Sequence, residues 1–324
     1  MSASFFKTQY ERGYYGFHRV RNAWPIWYRL LNRESRMAWS RYPYVPDALA
    51  QRIIQSLRAD GIALAHISEF AEGENAFARM QEYVSSRLRD PKVSAEADRR
   101  RGLIAQRLKN PSGKGAGKYF KDFWVDLLEL DEKGNSLFAK GNPFLRFLLH
   151  DRVLGPVASY LGMAPKLNSF HLRSTLLVPA GSREYLSQRW HRDPEDKKMM
   201  KVFIYMTDVL EPGAGPFVYV RGSHLGGKWR GIFPQRPPAG SYPPAGEVER
   251  LVPESDIQTN LAKAGTLIFC DTSGLHRGGY STTKNRVMFM PGFTSQASRY
   301  PISFVRPTAE QKSGLSELAQ YAVE

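Results

Sequence analysis

Apolar residues recur with two different periods along this chain, and the period changes near residue 165. After Asp47, Leu49, Ile53, Ile54 and Leu57 fall on one face of a 3.6-residue repeat that stops at Asp60-Gly61. That spacing predicts an amphipathic helix with an acidic N-cap and a glycine stop. Residues 62–67 are apolar apart from His66 and read as a strand, residues 77–89 return to the helical period, and Asn142-Pro143 opens a helix through Phe144, Leu145, Phe147 and Leu148. Residues 90–118 are polar and basic, and the Gly-rich stretch 110–118 predicts a mobile loop. That stretch is not a phosphate-binding P-loop, because the spacing fails and Tyr119 stands where Ser or Thr would meet magnesium. From Leu167 onward short strands dominate, separated by Gly and Pro turns. In one of them Lys201, Phe203 and Tyr205 share a face, whereas Val202, Ile204 and Met206 take the other. No internal repeat is present.

Within the strand-rich half, Trp190-His191-Arg192-Asp193 stands out. Side chains at i and i+2 of an extended strand point the same way, so His191 and Asp193 converge while Arg192 looks away. A second histidine, His276, follows the apolar strand 266–270, and Arg286 comes ten residues later. Two imidazoles and one carboxylate can hold Fe(II) by one triangular face and leave positions open for a co-substrate and oxygen. Arg286 suits the far carboxylate of a dianion, because its fork donates two parallel hydrogen bonds and keeps its charge. Many short strands with a metal site in the mouth describe a jelly roll, the double-stranded β-helix. The expected fold class is therefore mainly β with flanking helices (α+β), with N-terminal helices covering one sheet of a jelly-roll core.

The order of these landmarks resembles the phytanoyl-CoA dioxygenase (PhyH-like) family. The resemblance runs over residues 45–295 and rests on Gln188 to Asp193, Lys201 to Asp208, Gly215 to His224, Ala264-Gly265-Thr266, and His276 with Arg286. Two features depart from the family pattern: Arg221 stands where Pro usually precedes Gly-Ser-His, and the segment 225–263 is long and Pro-rich. The resemblance implies an Fe(II)- and 2-oxoglutarate-dependent oxygenase on a cupin-like core. His191, Asp193 and His276 would be the iron ligands, with 2-oxoglutarate and O2 as co-substrates. Arg286 would pair with the far carboxylate, and Ser281 or Thr283 would add a hydroxyl hydrogen bond. The carboxylate at Asp193 favours hydroxylation over halogenation, with release of succinate and CO2. Candidate substrate contacts near the motif are His171, Arg173, Trp190, Lys201 and Tyr205; Lys201 reads equally as a contact to an acidic substrate or as an exposed strand end. His18, His66 and His150 fit packing or surface positions, and His224 fits a loop-shaping role. The expected organisation is a basic, aromatic extension at 1–44, a dioxygenase domain at 45–300 with its core at about 165–295, and a tail at 301–324.

Composition adds constraints. The 324 residues, 42% hydrophobic, can supply a sizeable core, and no run of about 18 apolar residues predicts a membrane span. Cys270 is the single cysteine, so no internal disulfide is available. The start of the chain lacks a charged segment followed by an apolar one. Both features lead to a cytoplasmic expectation. The net charge of +15 is concentrated: residues 1–44 hold eight basic and two acidic side chains, and residues 85–121 hold eleven and three. Such clusters attract anions. Interleaved with Tyr and Trp, the first segment reads foremost as packing over the barrel with its Arg stems covering apolar surface. Peripheral contact with an anionic membrane surface is the second reading, and nucleic acid is disfavoured. The partner expected at the metal site is a small molecule. Two other classes stay open at this point: a cupin-like metalloprotein that does not use 2-oxoglutarate, and an anionic-surface module on a jelly-roll scaffold.

Overall fold

The computed structural model describes residues 13–109, 123–139 and 141–324. The stretch 110–118, read above as a loop, lies outside the described residues. Helices run Arg33–Arg41 (α1), Ala48–Asp60 (α2), Gly73–Leu88 (α3), Pro91–Lys109 (α4), Pro143–Leu148 (α5), Asp151–Leu161 (α6), Glu247–Leu251 (α7), Ala309–Lys312 (α8) and Glu317–Val323 (α9). The α2 boundaries follow from its caps. Asp47 accepts a hydrogen bond from Ala50 N at 2.8 Å, and Gly61 takes φ +79°, a left-handed geometry that a side chain would strain.

The strands are Ile62–His66 (β1), Trp124–Asp126 (β2), Ser136–Leu137 (β3), Lys166–Ser169 (β4), Leu172–Thr175 (β5), Met200–Tyr205 (β6), Phe217–Val220 (β7), Ile257–Thr259 (β8), Thr266–Cys270 (β9), His276–Gly278 (β10), Val287–Phe289 (β11), Gly292–Thr294 (β12) and Phe304–Val305 (β13). The larger sheet runs β1-β9-β6-β11-β5-β2, with β12 joining β4 to β6, and a smaller one runs β10-β7-β8. All the pairings in both are antiparallel. The fold is thus the α+β jelly roll expected from the strand pattern. Strand β6 divides the interior by its alternation. Val202, Ile204 and Met206 join Ile53 and Leu57 of α2 and Val153, Leu154 and Val157 of α6 in the main core, so helices cover the outer face of the larger sheet. Phe203 and Tyr205 face inward and pack with Phe217, Tyr219, Ile268 and Met288 between the sheets.

Helix α4 was not legible as an apolar repeat. It forms because Pro91 suits a first helical position, Val93 and Ala97 are buried, and Glu96 pairs with Arg99 and Arg100 at 2.7 and 2.6 Å. Much of the second basic segment is therefore helical. In the first one, the π-helical turn Pro25–Leu31 buries Trp27 completely and sends its Nε1 to Asp196 Oδ1 at 2.8 Å. Asn32 Oδ1 then accepts from Ala297 N at 2.9 Å, and the Arg36 guanidinium lies 4.4 Å from the Tyr28 ring. At the other end of the chain, Leu318, Ala319, Ala322 and Val323 of α9 complete the main core. Among the described residues no helix is long and apolar enough to cross a membrane.

Candidate metal centre

Three backbone hydrogen bonds lock the metal motif before any ligand is considered. His191 N donates to His276 O at 2.9 Å and His276 N returns to His191 O at 3.0 Å, while Asp193 N reaches Thr272 O at 3.0 Å. The segment after Arg189 is thereby zipped onto the start of β10. One ligand atom each from His191, Asp193 and His276 lies within 4.8 Å of the others, and all three residues are buried. His191 Nε2 is 3.6 Å from Asp193 Oδ1, and His276 Nε2 is 3.5 Å from Oδ2. The imidazoles turn the other nitrogen outward: His191 Nδ1 is 2.9 Å from Arg189 O and His276 Nδ1 is 3.0 Å from Gly274 O. A carbonyl only accepts, so each Nδ1 carries the proton and each Nε2 lone pair faces the carboxylate, as metal ligation requires. Burial keeps both rings neutral, with His276 further lowered by His191, to about 3. The donor set thus fits a divalent transition metal.

Lys201 is not a strand-end lysine in water: its Nζ lies 2.7 Å from Asp193 Oδ2 and 3.6 Å from Glu195 Oε1. Burial pulls its pKa down, but attraction to Asp193 and Glu195 outweighs that and leaves it raised. Asp193 feels the converse: burial raises it, yet Lys201, His276 and His191 together hold it below the usual carboxylate range. Burial, then the Asp193 charge, pushes Glu195 up to about 7.

Arg286 precedes β11 and shares the inner face with Met288 by the two-residue period. Its backbone is tied to β5, donating to Thr175 Oγ1 at 2.7 Å and accepting from Thr175 N at 2.9 Å. The side chain is buried, and its Nε and Nη1 have no partner. A buried guanidinium with idle donors is costly unless an anion meets it. Tyr205 sits on this side: its hydroxyl takes Phe217 N at 3.0 Å and donates to Asn260 O at 3.2 Å, and its nearness to Arg286 partly offsets the burial that lowers the arginine's pKa. Tyr205 therefore belongs with Arg286 in the barrel interior. Ser281 Oγ bonds Thr175 Oγ1 at 2.6 Å beside the same arginine, whereas Thr283 is exposed and donates to Glu211 Oε1 at 2.7 Å. Of the two hydroxyls, only Ser281 is on the Arg286 side.

The remaining candidates divide. His171 pairs with Met290 through backbone hydrogen bonds, and burial, then Arg173 and Lys201, lower its ring to about 3. It shares the Lys201 neighbourhood. Arg173 is engaged by Asp126 at 2.8 Å and stacks 4.6 Å from the Trp124 ring. Trp190 points away from the triad into an apolar cluster with Val218, Val220 and Leu275; its Nε1 donates to Glu249 Oε1 at 2.7 Å. The i+2 rule that joins His191 to Asp193 sends Trp190 and Arg192 to the opposite side. Arg192 is buried there and donates to the carbonyls of Ser223, Trp229 and Ile232 in the segment after β7 and of Ser273 in the β9–β10 turn, clamping the two together. His224 is buried under Gly61, with Nε2 3.2 Å from Arg58 O, which agrees with a loop-shaping role. His66 and His150 cap helical turns.

Three contributors escaped the sequence pattern: Thr175, Glu195 and Tyr242. The Tyr242 ring stacks on His191 at 5.6 Å and 13°, and the Arg189 guanidinium lies 5.6 Å from it. Tyr242 comes from the Pro-rich insertion, where no local signal marks it. Glu195, two residues beyond Asp193, was within reach of the same i+2 argument.

No protein-family model matches the chain, and no curated protein matches it. Solved structures with similar folds include the hydroxyectoine-bound EctD from S. alaskensis, crystallised with 2-oxoglutarate (15% identity, 82% of this chain and 84% of that one, TM-score 0.49). The epimerase SnoN in complex with Fe3+, alpha ketoglutarate and nogalamycin RO is another (15% identity, 83% and 92%, TM-score 0.46). AviO1 from Streptomyces viridochromogenes Tue57 is a third (18% identity, 80% and 99%, TM-score 0.42).

Proposed function

We propose that this protein is an Fe(II)- and 2-oxoglutarate-dependent oxygenase that hydroxylates a small molecule and releases succinate and CO2. The observation that carries the reading is the pairing of a His-Asp-His triad with a buried arginine whose Nε and Nη1 lack partners. A metal-binding jelly roll that used no dianionic co-substrate would have no use for that buried cation. The resemblance of the motif order to the PhyH-like family points the same way. Iron bound at the triad, with 2-oxoglutarate and oxygen, would supply the oxidative chemistry.

The chain's own residues supply position and environment. His191 and His276 present fixed Nε2 atoms because Arg189 O and Gly274 O hold the opposite nitrogens. Lys201 keeps the Asp193 carboxylate ionised and fixes its rotation from Oδ2. Arg286 binds the far carboxylate of the keto acid, with its backbone set by Thr175 and Ser281 alongside. Phe203, Phe217 and Met288 make the interior apolar and exclude water between the two ends. Tyr242, stacked on His191, and His171, near Lys201, would border the substrate.

The direct test is turnover. Purified protein with Fe(II), ascorbate and 2-oxoglutarate in air should release succinate, and His276→Ala should abolish both succinate and stoichiometric iron. Full metal loading in His276→Ala would refute the ligand assignment.

A further inference from the structure

We infer that a second site, on the far side of Arg192 from the metal triad, binds a soluble small molecule bearing several phosphate charges. A cavity of about 1030 Å³ opens there, walled by the N-terminal segment, the Arg192–Lys197 turn, the Pro-rich insertion and Ser273. Its charged lining is of one sign: Arg19, Arg192, Lys197, Arg230 and Arg236, with His18 beside them and no Asp or Glu among the lining residues. Among the described residues no carboxylate lies within ion-pair distance of any of those five cations. Three lining residues also hold buried atoms without partners: Arg192 Nε and Ser273 Oγ, which can donate to an anion, and the acceptor Gln235 Oε1; the other Arg192 nitrogens are fully used.

Gathering unpaired cations around one recess costs free energy by mutual repulsion, and a multiply charged anion relieves it. Phosphate fits better than a single carboxylate, because several cations at different points of the wall can share oxygens from more than one group. A recess of this depth suits a small molecule, which it can surround, more than a flat surface. Although the metal ligands do not line the cavity, the site is not isolated from the triad. Arg192 sits between His191 and Asp193, and Ser241, on the cavity wall, exchanges backbone hydrogen bonds with Arg192 at 2.9 and 3.2 Å next to Tyr242.

The test uses inorganic tripolyphosphate with the full-length, metal-free protein at low salt, read by calorimetry. Tripolyphosphate should bind saturably, and Arg230→Ser with Arg236→Ser should weaken it about tenfold or more, a loss of about 1.4 kcal/mol shared between two solvent-screened contacts. Both arginines are exposed, so the double variant should fold. Arg286→Ala and His276→Ala should bind tripolyphosphate as the parent does, which separates this site from the metal centre. Arg99→Ser with Arg101→Ser on α4 should change binding less than twofold. Three results would overturn the inference: no saturable binding, equal loss in the α4 variant, or loss in the Arg286 variant. Sedimentation with phosphatidylserine vesicles through Arg230 and Arg236, without tripolyphosphate binding, would overturn it in favour of a membrane surface.

Discussion

Replacing Arg286 by Ala should cost about two orders of magnitude in 2-oxoglutarate affinity while leaving iron loading intact. The magnitude comes from the two buried donors, Nε and Nη1, that nothing in the protein satisfies. A hydrogen bond to a charged group contributes about 1.5–3 kcal/mol, so two of them lose about 3 kcal/mol at the low end. At about 1.4 kcal/mol per tenfold, that is roughly a hundredfold. Arg286→Lys should recover part of the affinity, because it restores charge without the fork. Pyruvate, which has no second carboxylate, should bind parent and Ala variant about equally. The assay is an anaerobic titration of Fe(II)-loaded protein with each keto acid, following the visible band of the chelate. The unliganded Ala variant should melt no lower than the parent, since the substitution removes a buried charge that has no partner. Unchanged 2-oxoglutarate affinity, or a parallel loss of iron, would refute this reasoning.

Lys201→Met should shift the midpoint of acid-induced metal loss to higher pH. Burial raises the Asp193 pKa and Lys201 is the foremost of the charges that hold it down, so without Lys201 protons compete earlier; a midpoint that stays put, read by equilibrium dialysis, contradicts the pairing. His171→Gln should flatten the acid limb of metal-free stability. The ring falls from 6.5 to about 3 on folding, so its stabilisation is complete above pH 6.5 and drains away as pH drops towards 3. Melting curves for both proteins over that range decide it, and parallel curves count against it. Trp27→Ala should destabilise the protein by about 3–5 kcal/mol in denaturant unfolding, because it empties a fully buried site and removes one of the two hydrogen bonds that Asp196 Oδ1 accepts. A loss under 1 kcal/mol, on the order of a surface substitution, would mean the N-terminal segment is not held to the barrel.

What the sequence made legible was local in origin. The α2 helix announces itself through Asp47, a four-residue apolar face and Gly61, all within one short window. Strand β6 displays its two faces by simple alternation, and His191 with Asp193 obeys the same rule. Pairings between distant segments are a different matter. Lys201 meets Asp193 and Glu195 only because the segment carrying the ligands folds over the start of β6, and no spacing encodes that. Thr283 and Ser281 look equivalent in sequence, yet the turn at Gly213 draws Thr283 outward to Glu211 while Ser281 stays against Thr175. Trp190 was drawn to the site by adjacency to His191, although adjacent strand residues point to opposite faces. Helix α4 escaped because ion pairs, not an apolar stripe, support its exposed side.

The reciprocal backbone hydrogen bonds between His191 and His276 have a bearing on iron economy. Each ligand is held by the main chain of the other, so the two imidazoles take their places from the fold itself. An ion would then dock onto ligands already in register, and by mass action its binding would add to the stability of the barrel. On the proposed reading, protein stripped of Fe(II) should therefore keep its fold and reload without a refolding step, which circular dichroism before and after chelation would check.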